Sequence, residues 1–429
     1  MTRSRMSQVS IVIGTRGLAL LATFAMTITI ARVLAPEASG AFFLIYTTVA
    51  LAATIGRFGT DNLVLKLGSD ARGASASVTR RLLAILVLAS ALVAAALGVF
   101  AVVFRPALGI LPELSSFTLF AVSFSVVPLA LSVFAGAALR GSGRVPLGVV
   151  AELGSVPLLT TVGVIILDQS GSAGLDAVLL VMSAAAALTA LWSMPAALWN
   201  ITAQHSASSA EGRAAPIISA RSLASMMGTS LLFYLLTWAP IYVLGFAASV
   251  EDVADYTVAA RLAAFVQLGA TIQTSYLAPE FAGLARRGLL PELNAVCRRS
   301  TNRVSVLAAF IALPLVIAPA PLLELFYGGG YAAAAPALAV LAAAAVAVTA
   351  CGQVNQLMLL CDLEHAALAL NVAALASWAV LGIPCGALWG LMGVAVFAGL
   401  VSVAYAVSAA VTLVRQRRIH AYARAWEVA

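Results

Sequence analysis

Residues 82–103 read LLAILVLASALVAAALGVFAVV, an apolar run without a charged side chain. An α-helix rises about 1.5 Å per residue, so a helix over this run would be roughly 33 Å long. The apolar core of a bilayer is roughly 30 Å thick, and a helix of this length crosses it. Arg80 and Arg81 precede the run, where long cationic side chains reach the membrane surface. The run therefore predicts a transmembrane helix.

Eleven further apolar segments of comparable length follow the same pattern along the chain. Lipid offers no partner for an unpaired backbone group, so each crossing segment is expected to be helical. The twelve predicted spans are residues 10–34, 40–65, 81–104, 117–139, 145–167, 175–199, 217–246, 254–277, 304–326, 332–360, 365–388 and 391–414. The sequence thus predicts an all-α polytopic membrane protein.

The composition agrees with a membrane environment. The chain has 429 residues, of which 62% are hydrophobic and 10% charged, and its mean hydropathy is +1.04. Soluble domains carry about 25% charged residues, so this chain has too few charges for a solvated shell. The net charge of +7 does not indicate nucleic-acid binding, because the basic residues lie between apolar segments and not in one patch.

The distribution of basic residues predicts the orientation in the membrane. Basic residues collect in cytoplasmic loops, and an even number of spans places both termini on one side. With cytoplasmic termini, the outer connections contain only Arg32 and Arg105 as basic residues, together with several acids. The inner loops contain twelve: Lys66, Arg72, Arg80, Arg81, Arg140, Arg144, Arg213, Arg286, Arg287, Arg298, Arg299 and Arg303. The largest loop is expected at about 278–303. We therefore expect a multi-pass protein of a bacterial cytoplasmic membrane.

Weak internal symmetry predicts two related halves. TRGLA at 15–19 in the first span resembles ARSLA at 220–224 in the seventh, and the halves have six spans each. Duplicated halves of this kind are common in transporters. We expect an N-terminal six-helix bundle at 1–203, a cytoplasmic linker at 204–216 and a C-terminal six-helix bundle at 217–429, with the two bundles around a central cavity.

Charged residues inside the predicted spans identify a candidate binding site. An ionised side chain at the centre of a span costs about 2.5–3.5 kcal/mol on insertion scales, so it usually faces a partner or an aqueous cavity. Arginine is suited to phosphate, because its guanidinium group binds phosphate oxygens bidentately. We predict that a cavity for an anionic, phosphate-bearing substrate contains Arg16, Arg57, Arg221 and Arg261, with Asp61, Asn62, Gln267 and Gln273 as supporting polar residues.

Structural roles for the same residues remain open. Arg16 and Arg221, each expected about two turns in from the cytoplasmic face, could extend to the interface. Arg57 could pair with Asp61 at i,i+4 as a structural bridge. Glu152 has no evident partner within its own span, and either helix packing or proton transfer would explain it.

Enzyme and metal chemistry have no motif in this sequence. The chain lacks a P-loop, HExxH and GxSxG, and its four cysteines form no CxxC pair. We predict no catalytic residues, no metal site and no cofactor. Whether an Na⁺ or H⁺ gradient drives the protein is left open.

Four short motifs resemble those of polysaccharide flippases. They are IARVLAPEASGAF at 30–42, GRFGTDNLV at 56–64, LRGSGR at 139–144 and YTVAAR at 256–261. These flippases form the O-antigen and lipid-linked oligosaccharide branch of the multidrug/oligosaccharidyl-lipid/polysaccharide exporter superfamily. The chain departs from the family pattern at Ala35, where the family has glycine, and in the second half's inner turn, which lacks a basic residue.

The resemblance implies two six-helix bundles around a V-shaped cavity that opens by alternating access. It also implies a substrate, a polyprenyl-pyrophosphate-linked glycan moved from the inner to the outer leaflet, and places Arg16, Arg57 and Arg261 where related flippases hold the pyrophosphate. Membrane lipids and other polysaccharide-assembly proteins are the expected partners. Two alternatives remain: a cation-coupled multidrug exporter of the same fold, which would need buried acids, and a membrane-embedded glycan polymerase or ligase, which would need outer catalytic residues.

Overall fold

The computed structural model describes residues 3–69, 76–103, 114–207, 219–287, 289–361 and 363–423. All regular secondary structure in these residues is helical. The predicted linker at 204–216 lies mostly outside them, as do Arg72, Arg105 and Arg213; residues 204–207 continue the helix before it. The position of the linker and the domain limits therefore stay predictions.

The chain forms two compact units. The first contains residues 1–34 and 41–235, and the second contains residues 35–40 and 236–429. The first half of the chain supplies the helices α1 Arg3–Val33, α2 Pro36–Gly56, α3 Thr60–Ser69, α4 Ala76–Val103, α5 Ser116–Phe124, α6 Val126–Gly141, α7 Val145–Val149, α8 Ser155–Gln169 and α9 Leu175–Ala207. A π-helical turn, Val150–Gly154, joins α7 to α8.

The second half continues with helices of the same kind. They are α10 Ala220–Ala247, α11 Val250–Ala264, α12 Leu268–Arg286, α13 Leu290–Ile317, α14 Pro319–Tyr327, α15 Ala335–Ala350, α16 Val354–Leu360, α17 Glu364–Ser377 and α18 Ile383–Arg417. The loop expected at about 278–303 is wrong: α12 and α13 cover nearly all of it. Charged residues end an apolar run in the sequence, but they do not end a helix, which continues beyond the membrane.

Ten helical segments in the described part of the chain are long and apolar enough to span a membrane. One of them, Glu364–Arg417, is 54 residues long, or roughly 81 Å as a straight helix and more than two bilayer cores. It bends sharply at Gly390, whose φ of 52° and ψ of −138° are not helical, so it crosses twice. Predicted span eight, residues 254–277, corresponds to α11 and the first part of α12, which are not among these ten segments. The chain is a multi-pass, twelve-span α-helical membrane protein.

Each unit has its own apolar core. In the first unit, α3, α4 and α6 pack together through Val64, Leu82, Leu86 and Phe134, all at most 1% exposed. In the second, α13, α16 and α18 meet around a similar cluster. Many apolar side chains on the outer faces are exposed, such as Leu191 at 70%. This arrangement is that of helices whose outer faces meet lipid.

Candidate functional site

The second span is broken at its most polar point. Helix α2 ends at Gly56, and α3 begins at Thr60. Between them, Phe58 has a φ of 47° and Gly59 a φ of 73°, values that favour glycine. At Gly59 any Cβ atom would lie 2.5 Å from the carbonyl oxygen of Leu223. Interrupted spans bring backbone dipoles and polar side chains together inside transport proteins, so this break marks a candidate site.

Arg57 lies at this break and is held by two side chains. Its Nη1 is 3.1 Å from Asp61 Oδ2, and its Nη2 donates to Thr54 Oγ1 at 2.8 Å. The side chains of Arg57 and Asp61 are 14% and 12% exposed. The third donor group, Nε, is buried without a hydrogen-bond partner among the described residues. The i,i+4 pairing that the sequence allowed is therefore present, and Arg57 retains one unsatisfied donor.

A second ion pair lies in the same unit. Arg140 Nη2 is 2.7 Å from Glu152 Oε2, and the two side chains are 24% and 21% exposed. Arg140 belongs to the last turn of α6, and Glu152 lies at the centre of the π-helical turn. Such turns are rare and are often found at functional sites. The Nε of Arg140 is also buried without a partner in the described part of the chain.

Two glycines bring the helices of this pair together. A Cβ on Gly148 would lie 2.5 Å from both Gly136 O and Arg140 Cγ, and one on Gly136 would lie 2.8 Å from Gly148 O. Only hydrogen fits at these two positions, so the two backbones approach closely. The close approach allows Arg140 to reach Glu152 on the neighbouring helix.

The two ion pairs form one electrostatic cluster. The charges of Arg140, Arg57, Asp61 and Arg16 all act electrostatically on Glu152. We call these five residues the arginine–carboxylate cluster. The cluster contains three guanidinium groups and two carboxylates, so its formal charge is +1. An excess of cationic donors in a membrane-spanning unit is suited to an anion.

The predicted equivalence of Arg16 and Arg221 does not extend to their places in the helices. Arg16 lies well inside α1 and is exposed, and its charge reaches Glu152. Arg221 is the second residue of α10 and is also exposed. Helix α10 starts at Ala220, and the depth of Arg221 in the membrane stays a prediction. Arg221 therefore lies in the first turn of its helix.

Asn62 makes a contact within the first unit that the sequence did not indicate. Its Nδ2 donates to Ser230 Oγ at 2.9 Å, which connects α3 to α10. The partners are 168 residues apart in the sequence. This geometry gives Asn62 a role in helix packing beside the cluster.

The remaining predicted residues belong to the second unit. Arg261 lies over the ring of Trp238, with its Cζ 5.4 Å from the ring centroid, a cation–π contact. Gln267 is exposed in the 3₁₀ turn that joins α11 to α12. The Nε2 of Gln273 is buried without a hydrogen-bond partner among the described residues. A common role for these three residues with the cluster stays a prediction.

Two members of the cluster were missing from the predicted site. The sequence predicts an inner turn for Arg140 and indicates no partner for Glu152. Both follow a glycine by four residues, in Gly136–Arg140 and Gly148–Glu152. A glycine one helical turn before a charge, repeated on two consecutive spans, is the signal that could have identified them.

The described residues contain no group of three or more histidine, cysteine, aspartate or glutamate side chains arranged to hold a metal ion. The cluster itself consists of arginine donors and carboxylate acceptors.

Solved structures of membrane transporters are among those that match this chain. The structure of a lipid II flippase, MurJ, in an inward closed conformation matches with a TM-score of 0.65 and 12% identity, over 95% of this chain and 87% of that one. An inward-facing multidrug resistance MATE family transporter of the MOP superfamily matches with a TM-score of 0.66 and 14% identity, over 94% and 96%. The Vibrio cholerae MATE transporter VcmN in the bent form matches with a TM-score of 0.61 and 15% identity, over 96% and 98%.

The sequence comparisons add no relatives. No protein-family model matches the chain, and no curated protein matches it significantly. The structural matches cover nearly the whole chain at low identity, so they establish the fold. The resemblance to this superfamily, first noted from short motifs, is confirmed at the level of the fold.

Proposed function

We propose that this multi-pass membrane protein, which has the fold of lipid flippases and multidrug transporters, is a flippase. Its proposed substrate is a polyprenyl-pyrophosphate-linked oligosaccharide or polysaccharide precursor, carried across the cytoplasmic membrane by alternating access. The observation that carries this proposal is the arginine–carboxylate cluster inside the first unit. Both ion pairs of the cluster are mostly buried, and three arginines exceed two carboxylates.

The chemistry of the cluster favours a phosphate-bearing ligand. A buried donor without a partner costs about 1–3 kcal/mol, and Arg57 and Arg140 each contain such an Nε group. Phosphate oxygens accept charge-assisted hydrogen bonds from guanidinium groups in a bidentate manner. A pyrophosphate would accept hydrogen bonds from guanidinium groups of the cluster and offset the cationic excess, while the carboxylates limit its affinity enough for release.

The charges also distinguish this proposal from a cation-coupled multidrug exporter. The fold does not distinguish them, since both classes occur among the solved structures with similar TM-scores. A cation site needs a carboxylate that is available to the ion. Here Asp61 and Glu152 each form an ion pair with an arginine, so the described first unit favours an anionic substrate.

The proposed setting follows from the substrate. A lipid-linked glycan is assembled at the inner leaflet, so the cluster would be accessible first from the cytoplasm and then from outside. Both chain termini would lie in the cytoplasm, as the arginine distribution predicts. Membrane lipids surround the protein, and the proteins that make and use the glycan would act before and after it.

The proposal is tested by transport of a labelled lipid in proteoliposomes. Purified protein is reconstituted with a fluorescent polyprenyl-pyrophosphate disaccharide, and a membrane-impermeant quencher reports the fraction that has crossed. Two paired variants, Arg57→Gln/Asp61→Asn and Arg140→Gln/Glu152→Gln, each remove one guanidinium and one carboxylate and preserve the net charge. We expect each to lower the initial rate at least about tenfold, since charge-assisted hydrogen bonds contribute about 1.5–3 kcal/mol.

The matched control is Arg144→Gln, an exposed arginine one turn beyond Arg140, which should transport at the wild-type rate. A parallel experiment measures efflux of a cationic dye. Dye efflux without lipid movement would favour the multidrug alternative. Wild-type lipid transport by both paired variants would contradict the proposed role of the cluster.

A further inference from the structure

The chain turns back on itself after its last helix. Helix α18 ends at Arg417, and Arg418 adopts a left-handed conformation with a φ of 55°. We call residues 418–423 the C-terminal strap. Alternate side chains of the strap point into the second unit: Ile419, Ala421 and Ala423 are 1%, 1% and 6% exposed. The strap is therefore packed as part of the protein core.

Hydrogen bonds connect the end of the strap to two other helices. Ala423 N donates to the carbonyl of Ala350, at the end of α15, at 2.9 Å. Thr301 Oγ1 on α13 donates to the carbonyl of Ala421 at 2.8 Å. Gly352 has a φ of 82°, and a Cβ there would lie 2.2 Å from Ala421 O. The strap and the bend after α15 thus fit directly against each other.

Both polar atoms of one side chain hold the start of the strap. Asn294 Nδ2 donates to the carbonyl of Arg418 at 3.2 Å, and Asn294 Oδ1 accepts from His420 N at 2.9 Å. His420 Nδ1 lies 2.9 Å from the hydroxyl of Tyr422. These contacts hold the strap and the Tyr422 side chain in place, so that the strap forms one wall of the space beside α18.

A groove of about 260 Å³ lies between this wall and α18. Its aliphatic lining follows one face of the helix at i, i+3, i+4 and i+7 spacing, and an arginine lies one residue beyond. The lining consists of Cys351, Val407, Ala410, Val411, Val414, Arg415 and Tyr422.

The lining of the groove changes from aliphatic to cationic along α18, as a membrane lipid changes from its acyl chain to its head group. Val407 to Val414 present aliphatic surface inside the span, and Arg415 lies in its last turn, where the apolar core of a bilayer gives way to head groups. Residues 415–423 contain three arginines and no carboxylate. Arg415 takes no part in the Arg57–Asp61 and Arg140–Glu152 ion pairs. An aliphatic chain therefore matches the end of the groove at Val407, and a phosphate matches the end at Arg415.

We propose that the groove between α18 and the C-terminal strap binds an anionic phospholipid. One acyl chain lies along Val407, Val411 and Val414, and the lipid phosphate accepts hydrogen bonds from Arg415. Tyr422 closes the side of the groove next to the head group. The site is separate from the arginine–carboxylate cluster, and the proposal does not depend on the transported substrate.

Photo-crosslinking tests the site in the full chain. The protein is reconstituted in phosphatidylcholine nanodiscs that contain a photoactivatable phosphatidylglycerol, and labelled peptides are mapped by mass spectrometry. We expect labels between residues 407 and 422. Arg415→Gln should lower them about fivefold, the effect of one basic residue near an anionic head group. Val411→Trp, which fills the groove, should lower them at least as much.

Matched substitutions distinguish binding in the groove from general electrostatic attraction between arginines and anionic lipids. Arg417→Gln removes an exposed arginine outside the groove lining, and Leu400→Trp adds an indole to an exposed position of α18. Neither should change the labelling by more than about 1.5-fold, well below the effect of one head-group contact. Equal losses for Arg417→Gln and Arg415→Gln, or equal labelling by a photoactivatable phosphatidylcholine, would overturn the proposal. Thermal stability of each variant is compared, and Val411→Trp decides the outcome if Arg415→Gln does not fold.

Discussion

Arg140 and Glu152 form a salt bridge of 2.7 Å between consecutive spans, with the carboxylate at the centre of a π-helical turn. Both side chains are more than three-quarters buried. The bridge therefore compensates two charges that would each be costly alone inside a span. It also fixes one side of the arginine–carboxylate cluster.

Glu152→Gln is expected to lower thermal stability strongly. The substitution removes the counter-charge of Arg140, and breaking a buried pair from one side costs about 3 kcal/mol. Thermal unfolding in detergent measures the change. The double variant Arg140→Gln/Glu152→Gln should be more stable than Glu152→Gln, because it leaves no uncompensated charge. A double variant that is less stable than both single variants would contradict this account.

Gly148→Ala should also destabilise the first unit. Its Cβ would lie 2.5 Å from Gly136 O, so α6 and α7 would have to separate, and Arg140 would move away from Glu152. We expect a loss of about 1–3 kcal/mol from overpacking, measured as a lower melting temperature. Gly17→Ala in α1 is the control, because a Cβ at Gly17 would have no neighbouring atom within 4 Å. It should be neutral or stabilising by up to about 1 kcal/mol.

The hydrogen bond between Asn62 and Ser230 should contribute to stability as a pair. Asn62→Ala and Ser230→Ala are each expected to cost about 1 kcal/mol, because each leaves the other side chain without its partner. The double variant should cost little more than either single change. A double-mutant cycle of unfolding free energies measures this coupling, and strictly additive effects would mean that the contact does not form.

The predicted orientation gives different accessibility to two exposed positions. In a variant whose native cysteines are replaced by alanine, Ser170→Cys lies in the turn between α8 and α9, and Arg144→Cys in the turn before α7. A membrane-impermeant maleimide should label Ser170→Cys in intact cells and Arg144→Cys only after permeabilisation. The reverse pattern would place the termini outside.

Part of the candidate site could be predicted because it depends on local spacing. Arg57 and Asp61 are four residues apart, and their ion pair forms even though the helix is interrupted between them. Arg16 could be identified as a costly charge inside a span. The pairing of Arg140 with Glu152 could not be predicted with the same ease, because it depends on how closely two helices pack.

The sequence by itself determined the membrane location, the helical structure and the number of crossings. Each long apolar run has one stable conformation in lipid, since only a helix pairs all of its backbone groups internally. Tertiary structure alone decided which charges meet, where Arg221 lies in its helix and how the C-terminal strap closes a groove against α18. These features depend on contacts between residues far apart in the chain, whose geometry is set by packing between helices and not by any single segment.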